Sequence, residues 1–231
     1  MTLGEAWREH SAKWLRWARE PGHDSYWTFH REAFLPSLPP PGRLTLDIGC
    51  GEGRLTRDLT ELGHRVVGID QSEMLIRAAR EADPDGDYRV ADAADLPFED
   101  GEADLAIAFM SLMDMDDMPA VLREIARVLE PGGRLVATVV HPLNSASFPR
   151  EHGRHRLVIA DYRKQRRYSD TIERDGLEMT FESFHYSLED YWRAIRHAGF
   201  VVEDLRELYD DEHPVWSTVP LFLRLDGRKT R

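Results

Sequence analysis

The segment that constrains the fold most strongly is LTLDIGCGEG, which occupies residues 44–53. Its apolar positions Leu44, Leu46 and Ile48 predict a buried strand, and three glycines then follow on alternate positions. Glycine permits a tight turn and lets a ligand come close to the backbone. A strand that ends in such a turn and leads into a helix is typical of nucleoside-binding α/β sheets.

Two later segments also end a predicted strand with an acid. VVGID ends at Asp70, and RVADAADLPF contains Asp92. Asp70 follows the glycines by about 20 residues, where nucleotide-binding folds place the carboxylate that binds the ribose hydroxyls. An acid at the end of a strand also commonly serves as a helix cap, and this alternative stays open for both residues.

The spacing of the glycines disfavours a dinucleotide ligand. The dinucleotide fingerprint requires its third glycine at position 54, which is Arg54 in this chain. Asp47 also lies just before the turn, whereas a bound pyrophosphate needs bare N–H groups with no acid beside them. An acid at this point suits a ligand with a positively charged amino group.

In this order, the motifs of residues 44–140 resemble the core of a class I S-adenosylmethionine-dependent methyltransferase of the small-molecule, methyltransferase-11-like type. LDIGCGEG is similar to the first family motif, VVGID to the second, ADAADLPF to the third and DLAIAFMSLMD to the fourth. The segment VLREIARVLEPGGRLVATVV resembles the helix and strand that come next. The family's fold is a Rossmann-like, seven-stranded, mostly parallel sheet with helices on both faces.

The resemblance implies a set of residues that bind the cofactor S-adenosylmethionine. The turn would hold the methionine portion, Asp70 the ribose, and the residues after the second and third strands the adenine, with Met110 beside the sulfonium. Asp70 and Asp92 are the acids in this set. The complete set is Tyr26, Arg31, Asp47, Gly49, Cys50, Gly51, Asp70, Gln71, Met74, Asp92, Ala93 and Met110.

The N-terminal segment is predicted to form helices over residues 3–19 and 25–35 that cover the site as a lid. Related enzymes often place an arginine on the cofactor carboxylate at the spacing of Arg31, and a guanidinium matches the two carboxylate oxygens. The alternative is that Arg31 is a solvated surface residue. Trp7, Trp14 and Trp17 recur at helical spacing, and we expect them to serve in helix packing.

A hydroxyl or carbon acceptor would benefit from a general base, whereas a neutral amine needs none. We predict His141 as this base because it follows the fifth strand, at the sheet edge where ligands bind, and Asp114 is the carboxylate alternative. A structural role for His141 stays open. The residues predicted to bind substrate are Trp27, Asp114, His185, Tyr186, His213 and Trp216.

We divide one predicted domain into a lid (1–41), a cofactor-binding core (42–141), a substrate-side insertion with a helix (142–199) and closing strands (200–231). The predicted core strands are 43–48, 65–69, 86–91, 103–109 and 134–140, and its helices are 53–62, 72–82 and 117–129, the last stopped at Glu130. After the core we predict an antiparallel excursion over 156–162 and 177–184, a helix over 187–198, and strands over 200–208 and 217–225.

The composition limits the classes of partner that this chain is expected to bind. The net charge of −12 argues against nucleic acid or an anionic membrane, because both require a basic face. We expect no metal site, no membrane segment and a cytoplasmic location, and one cysteine excludes an internal disulfide. The oligomeric state is left open.

The sequence therefore predicts methyl transfer from S-adenosylmethionine to an O, N or C nucleophile of a small organic molecule. Two alternatives remain at this point: a non-catalytic partner protein that binds S-adenosylmethionine, and an enzyme that uses the same scaffold for another reaction.

Overall fold

The computed structural model describes residues 1–149, 157–159 and 161–230. Seven of its strands form one sheet in the order β10-β11-β5-β4-β1-β2-β3, and the remaining four form two separate antiparallel pairs. The strands are β1 (Thr45–Ile48), β2 (Val66–Asp70), β3 (Asp87–Val90), β4 (Ala103–Phe109), β5 (Leu129–Val140), β6 (Ser147–Pro149), β7 (Leu157–Ile159), β8 (Arg166–Arg174), β9 (Leu177–His185), β10 (Phe200–Leu208) and β11 (Phe222–Lys229).

Helices alternate with the first five strands. The α-helices are α1 (Leu3–Arg19), α2 (Arg31–Phe34), α3 (Arg54–Glu61), α4 (Glu73–Ala82), α5 (Met118–Val128), α6 (Pro142–Ser145) and α7 (Leu188–His197). A π-helical turn (Tyr26–His30) leads into α2, and short 3-10 turns occupy Leu35–Ser37 and Leu112–Asp114. None of the helices in the described part of the chain is long and apolar enough to cross a membrane.

β1 to β5 run parallel, and β11 and β10 add to β5 in antiparallel fashion. Every residue of β1 is buried, as expected of a central strand covered on both faces. The carboxyl ends of parallel strands meet at one edge of the sheet, so the loops after β1, β2, β3 and β4 lie side by side there. The predicted seven-stranded, mostly parallel fold is confirmed.

Several predicted boundaries are wrong. The helix expected over 25–35 is divided into π, α and 3-10 pieces, and the helix expected to stop at Glu130 ends at Val128. The last strand runs over 222–229 instead of 217–225, because hydrogen bonds such as Val219 N–H to the Val215 carbonyl fold residues 213–219 into turns. Boundaries depend on such local bonds more than on the apolar pattern.

The antiparallel excursion also differs from the prediction in its pairing. β9 pairs with β8, whereas β7 pairs with β6; residues 156 and 160 of the strand expected over 156–162 lie outside the described residues. Asp175 and Gly176 both have positive φ, 50° and 77°, and they form the two-residue turn between β8 and β9. Asp-Gly between two strands is a strong hairpin signal, so the sequence contained the information that our pairing missed.

The N-terminal helix α1 lies against β9 and α4. A capping box of Thr2 and Glu5 begins the helix, and the backbone N–H groups of Leu3 and Gly4 donate to the carboxylate of Asp116, at 2.7 and 3.2 Å. A carboxylate is favourable there because the first N–H groups of a helix have no partner within it. These contacts tie α1 to the loop after β4, which is where the predicted lid has to lie.

Candidate active site

A cavity of about 1120 Å³ opens at the carboxyl edge of the parallel strands. The loops after β1, β2, β3 and β4 form one side, and the opposite side is formed by α1, the β8–β9 hairpin and the segment 213–222. A pocket that holds one drug-sized ligand usually measures about 300–1,000 Å³. The cavity therefore has room for two molecules.

The glycine turn forms the floor of the cavity. Gly49 and Gly51 have positive φ, 75° and 58°, a conformation that other residues rarely adopt. A Cβ atom at Gly49 would lie 2.6 Å from the Cβ of Ser111, which is too close for any side chain. The turn therefore presents bare backbone to whatever occupies the cavity.

Asp70 stands at the end of β2 beside this turn and lines the cavity. Its Oδ2 accepts from Gly51 N–H at 3.0 Å, and its Oδ1 accepts from Ser72 N–H at 2.8 Å. Burial raises the pKa of the carboxyl, and the two backbone hydrogen bonds act in the opposite direction. Since a carboxylate can accept about four hydrogen bonds, capacity remains for ligand hydroxyls.

Gln71, Asp92 and Ala93 line the same part of the cavity, as the resemblance implies. Asp92 is exposed, and its Oδ1 accepts from Ala94 N–H at 2.9 Å, so it also holds its own turn. Met74 does not line the cavity; it is half-buried in the first turn of α4. The structure thus brings three of these four residues to the wall.

Asp47 lies beneath the turn rather than in the cavity. Its side chain is 1% exposed and accepts from Thr56 Oγ1 at 2.7 Å, which links β1 to α3. Burial raises its pKa from 3.8 to about 6, against the opposing effect of the Thr56 hydrogen bond. Cys50 lines the cavity, and burial raises the pKa of its thiol well above the usual value, which keeps it protonated.

Met110 lines the cavity at the end of β4 with φ at 52°. Positive φ is costly for a residue with a long side chain, and such outliers cluster at ligand sites. The loop turns sharply here, and this turn brings Ser111 against Gly49.

The structure does not bring Arg31 to the cavity. Its guanidinium donates to both carboxylate oxygens of Asp58, at 2.7 and 2.8 Å, and the hydroxyl of Tyr26 also donates to Asp58. Tyr26 is buried behind the wall, and Trp27 is 43% exposed with its Nε1 bonded to the Ala18 carbonyl. The described residue that offers a guanidinium at the turn is Arg54.

Arg54 begins α3 directly after the glycine turn, and its side chain is 10% exposed. It pairs with Asp24 at 3.2 Å and lies over the rings of Trp14 and Tyr26, with its Cζ at 4.9 and 5.4 Å from the ring centroids. Arg54, which stands where the dinucleotide fingerprint requires a glycine, therefore places a positive charge at the cavity wall.

The three tryptophans of α1 pack against β9 and also line the cavity, which the expectation of helix packing did not include. Trp7, Trp14 and Trp17 all line the cavity and contact Phe181 of β9 edge-to-face, with ring centroids 5.9–6.4 Å apart. Their helical spacing is the same for a face packed on a core and for a face packed over a ligand, so the pattern alone could not separate the two.

His141, the predicted base, does not line the cavity in the described structure. It is 2% exposed; its Nδ1 accepts from Leu143 N–H at 3.1 Å and its Nε2 lies 3.2 Å from Glu207 Oε1. With Nδ1 accepting, Nε2 carries the proton and donates. Burial lowers its pKa, with Glu207 opposing, and both ring nitrogens are used in holding the end of β5.

His185 and Tyr186 are likewise buried away from the cavity. His185 Nε2 donates to the Tyr162 carbonyl at 2.9 Å, and its Nδ1 lies 2.7 Å from Ser145 Oγ. Tyr186 packs edge-to-face against Tyr191 of α7. These residues support the wall from behind.

His213 and Trp216 line the cavity as predicted, with their rings stacked at 6.0 Å. His213 Nδ1 accepts from the backbone N–H groups of Val215 and Trp216, at 3.2 and 3.3 Å, so it holds its own turn.

One face of the β8–β9 hairpin forms a wall that sequence reasoning missed. Alternate residues of β8 line the cavity, and their cross-strand partners on β9 include Ser183, opposite Tyr168, and Phe181, opposite Asp170. A period of two next to the Asp-Gly turn was the signal that could have found this face. The lining residues of β8 at this period are Arg166, Tyr168, Asp170, Ile172 and Arg174.

Asp114 meets this wall from the loop after β4. Its Oδ1 accepts from Ser183 Oγ at 2.6 Å, and burial raises its pKa well above the usual value, with the Ser183 hydrogen bond partly offsetting the effect. Burial likewise raises the pKa of Tyr168, and the charge of Asp114 adds to the shift.

The sequence of this chain is similar to those of known methyltransferases. Residues 46–137 match the family model described as a methyltransferase domain. The chain is 31% identical over 191 residues to the O-methyltransferase cnsE of Penicillium expansum, covering 80% of this chain and 61% of that protein. It is 38% identical over 115 residues to the demethylmenaquinone methyltransferase of Corynebacterium kroppenstedtii, covering 49% and 48%. The chain thus spans about half to three fifths of the length of these relatives.

A solved structure covers the chain more completely. The S-adenosylmethionine-dependent methyltransferase of Mesorhizobium loti superposes with a TM-score of 0.69 at 25% identity, over 89% of this chain and 98% of that one. A methyltransferase of Burkholderia thailandensis, solved with S-adenosylhomocysteine, shares the fold at 18% identity and a TM-score of 0.62. With the glycine turn, the acid-tipped strands and the sheet order, these matches show that residues 46–137 form a methyltransferase domain and that the fold is that of S-adenosylmethionine-dependent methyltransferases.

Proposed function

We propose that this protein transfers a methyl group from S-adenosylmethionine to an oxygen atom of a small organic molecule. The observation that carries the proposal is that one continuous cavity runs from the glycine turn and Asp70 to Asp114 and the β8–β9 hairpin. A methyl donor and an acceptor must share one enclosed space, and this cavity is large enough for both.

The residues at the turn fit S-adenosylmethionine. Gly49 leaves bare backbone where any Cβ would collide with Ser111, and Asp70 keeps acceptor capacity for two ribose hydroxyls. Arg54 takes the cofactor carboxylate in place of Arg31, because it lines the cavity next to the turn. Gln71, Asp92 and Ala93 hold the adenine, and Met110 stands by the sulfonium, as the resemblance implies.

The cofactor supplies an electrophilic methyl carbon on a positively charged sulfur. What the protein adds is alignment of two reactants and exclusion of water, and alignment is worth up to about 7–11 kcal/mol in favourable intramolecular reactions. The rings of Trp7, Trp14 and Phe181 form an apolar wall with little hydrogen-bonding capacity for water.

The names of two relatives support an oxygen acceptor, and the shape of the cavity supports a small molecule. The relative from Penicillium expansum is named an O-methyltransferase, and so is the nocamycin enzyme of Saccharothrix syringae, which is 41% identical over 108 residues. A small organic acceptor suits an internal cavity, into which a folded macromolecule does not fit. The net charge of −12 also disfavours nucleic acid.

Two measurements test the proposal. Isothermal titration with S-adenosylhomocysteine should show one-site binding, and its absence would overturn the assignment. Transfer of label from methyl-labelled S-adenosylmethionine to a set of small phenols, alcohols, amines and thiols should then mark hydroxyl compounds. Binding of the cofactor without labelling of any acceptor would favour the non-catalytic partner, and labelling confined to amines would refute the oxygen acceptor.

A further inference from the structure

Asp114 is a carboxylate at the cavity wall without a counter-ion among the described residues. Within the described ranges it takes part in no ion pair, and its Oδ1 accepts a hydrogen bond from Ser183 Oγ at 2.6 Å. It ends the short turn Leu112–Asp114, which follows Met110 and Ser111. The chain therefore carries this acid directly from the proposed sulfonium position to the hairpin wall.

Ser183 is the hydrogen-bond partner of Asp114, and two tyrosines lie close enough to feel its charge. Ser183 comes from β9, Tyr168 from its cross-strand position on β8, and Tyr191 from α7; the charge of Asp114 raises the pKa of both tyrosines. Arg166 and Asp170 act on Tyr168 with opposite signs. The physical causes that act on the pKa of Asp114 itself include burial and Ser183, and no cation.

A carboxylate in such surroundings is stabilised when a proton or a cation reaches it, because buried charge is costly unless it is paired. Ser183 donates to Oδ1, so Oδ2 keeps its full acceptor capacity for a ligand. The apolar rings of Trp7, Trp14, Phe181 and Trp216 line the same space and suit a flat aromatic body rather than a flexible polar chain.

We propose that Asp114 is the proton acceptor for an aromatic hydroxyl group, and that Ser183 is a positioning residue which holds the carboxylate in place. The inference rests on the proposed methyl transfer and names its acceptor as a phenol. Asp114 replaces His141 in the role of general base.

The step balances without any further reagent. The O–H bond of the phenol breaks, its proton goes to Oδ2 of Asp114, and the electron pair stays on oxygen. That pair forms the new bond to the methyl carbon, while the pair of the broken carbon–sulfur bond stays on sulfur. The products are an aryl methyl ether, S-adenosylhomocysteine and a protonated Asp114, which releases its proton to solvent when the cavity opens.

Binding of 4-nitrophenol to the full chain saturated with S-adenosylhomocysteine tests the proposal without turnover. In the wild type, affinity should fall once the probe ionises, because phenolate and carboxylate then repel each other. In Asp114→Asn that fall should disappear, and affinity for the un-ionised probe should drop about ten- to a hundredfold, the effect of losing one charge-assisted hydrogen bond.

The pH dependence of binding in Ser183→Ala tests the positioning role, because a merely structural residue would not change it. Protonation of Asp114 at low pH should weaken binding of the un-ionised probe, and because loss of the Ser183 hydrogen bond raises the pKa of Asp114, this weakening should begin at higher pH in Ser183→Ala. Asp117→Asn is the matched control: Asp117 also lines the cavity and caps α5 through Ala120 N–H at 2.9 Å, a role that asparagine keeps. Its pH profile should match that of the wild type.

Three results would overturn the inference: the same profile in Asp114→Asn as in the wild type, no binding of 4-nitrophenol, or preferred binding of benzylamine. Retained binding of S-adenosylhomocysteine in these experiments would leave the proposed function standing. Loss of that binding in the wild type would instead refute the proposed function itself.

Discussion

The proposed cofactor end and the proposed acceptor end of the cavity are formed by different kinds of structure. The cofactor end consists of a backbone turn and of residues at the ends of parallel strands, so its geometry is set by the sheet itself. The acceptor end consists of side chains from α1, from the β8–β9 hairpin and from the segment 213–222, which converge from distant parts of the chain. One end is thus suited to hold an unchanging cofactor, whereas the other can change with the substrate.

Of the variants considered, Gly49→Ala should reduce cofactor binding the most. The new Cβ would meet Ser111 at 2.6 Å and the φ of 75° would add strain, so we expect a loss of about 1–2 kcal/mol from the backbone and a further ~1–3 kcal/mol from overlap. S-adenosylhomocysteine binding should become undetectable by titration.

Gly176→Ala is the control for this change. Gly176 has nearly the same φ, 77°, but nothing lies within 4 Å of a Cβ placed there. It should lose about 1–2 kcal/mol of stability and bind S-adenosylhomocysteine normally. Equal affinity in the two variants would show that the turn does not approach the cofactor.

Asp70→Ala should weaken S-adenosylhomocysteine binding on the order of a hundredfold, because it removes the charged acceptor for ribose hydroxyls. The melting temperature should fall by less, since the two backbone hydrogen bonds to Gly51 and Ser72 are the structural part of its role. Asp87→Ala, which removes an exposed carboxylate of β3, should leave affinity unchanged. Intact affinity in Asp70→Ala would mean that the ribose contact lies elsewhere.

Two tryptophan variants test which aromatic residues border the cavity. Trp14→Ala removes a wall residue whose Nε1 would lie 3.3 Å from a Cβ at Gly51, so affinity for S-adenosylhomocysteine should fall about tenfold. Trp27→Ala, outside the cavity and 43% exposed, should not change it. The reverse result would restore the original placement of Trp27 beside the ligands.

Arg31→Ala should affect stability and not cofactor affinity. Burial opposes the charge of Asp58, but the hydrogen bonds from Arg31 and Tyr26 outweigh it and lower the pKa of Asp58. This group therefore stabilises the fold above the ordinary pKa of aspartate, and that contribution disappears as pH falls through the lowered value.

Thermal unfolding followed across the acidic range checks this sign. The wild type should lose stability more steeply on acidification than Arg31→Ala, and the two should converge at low pH. A marked loss of S-adenosylhomocysteine affinity at neutral pH would instead return Arg31 to the cofactor carboxylate.

Sequence reasoning found residues that line the cavity where the signal is local. The glycine turn, Asp70 and Asp92 stand on consecutive strand–loop units, and parallel pairing brings such loops to one edge whatever the rest of the chain does. It failed for Arg31 and His141, because their partners Asp58 and Glu207 lie 27 and 66 residues away and nothing local indicates them.

By itself, the sequence determined the parallel core, the resemblance to the methyltransferases and the residues of the proposed cofactor end, since short-range patterns of apolar residues, glycines and acids encode all three. The tertiary structure alone decided that the tryptophans of α1 face a cavity, that Arg54 and not Arg31 reaches it, and that Ser183 meets Asp114. These are contacts between elements far apart in the chain, and their geometry depends on how α1 and the hairpin pack over the sheet edge.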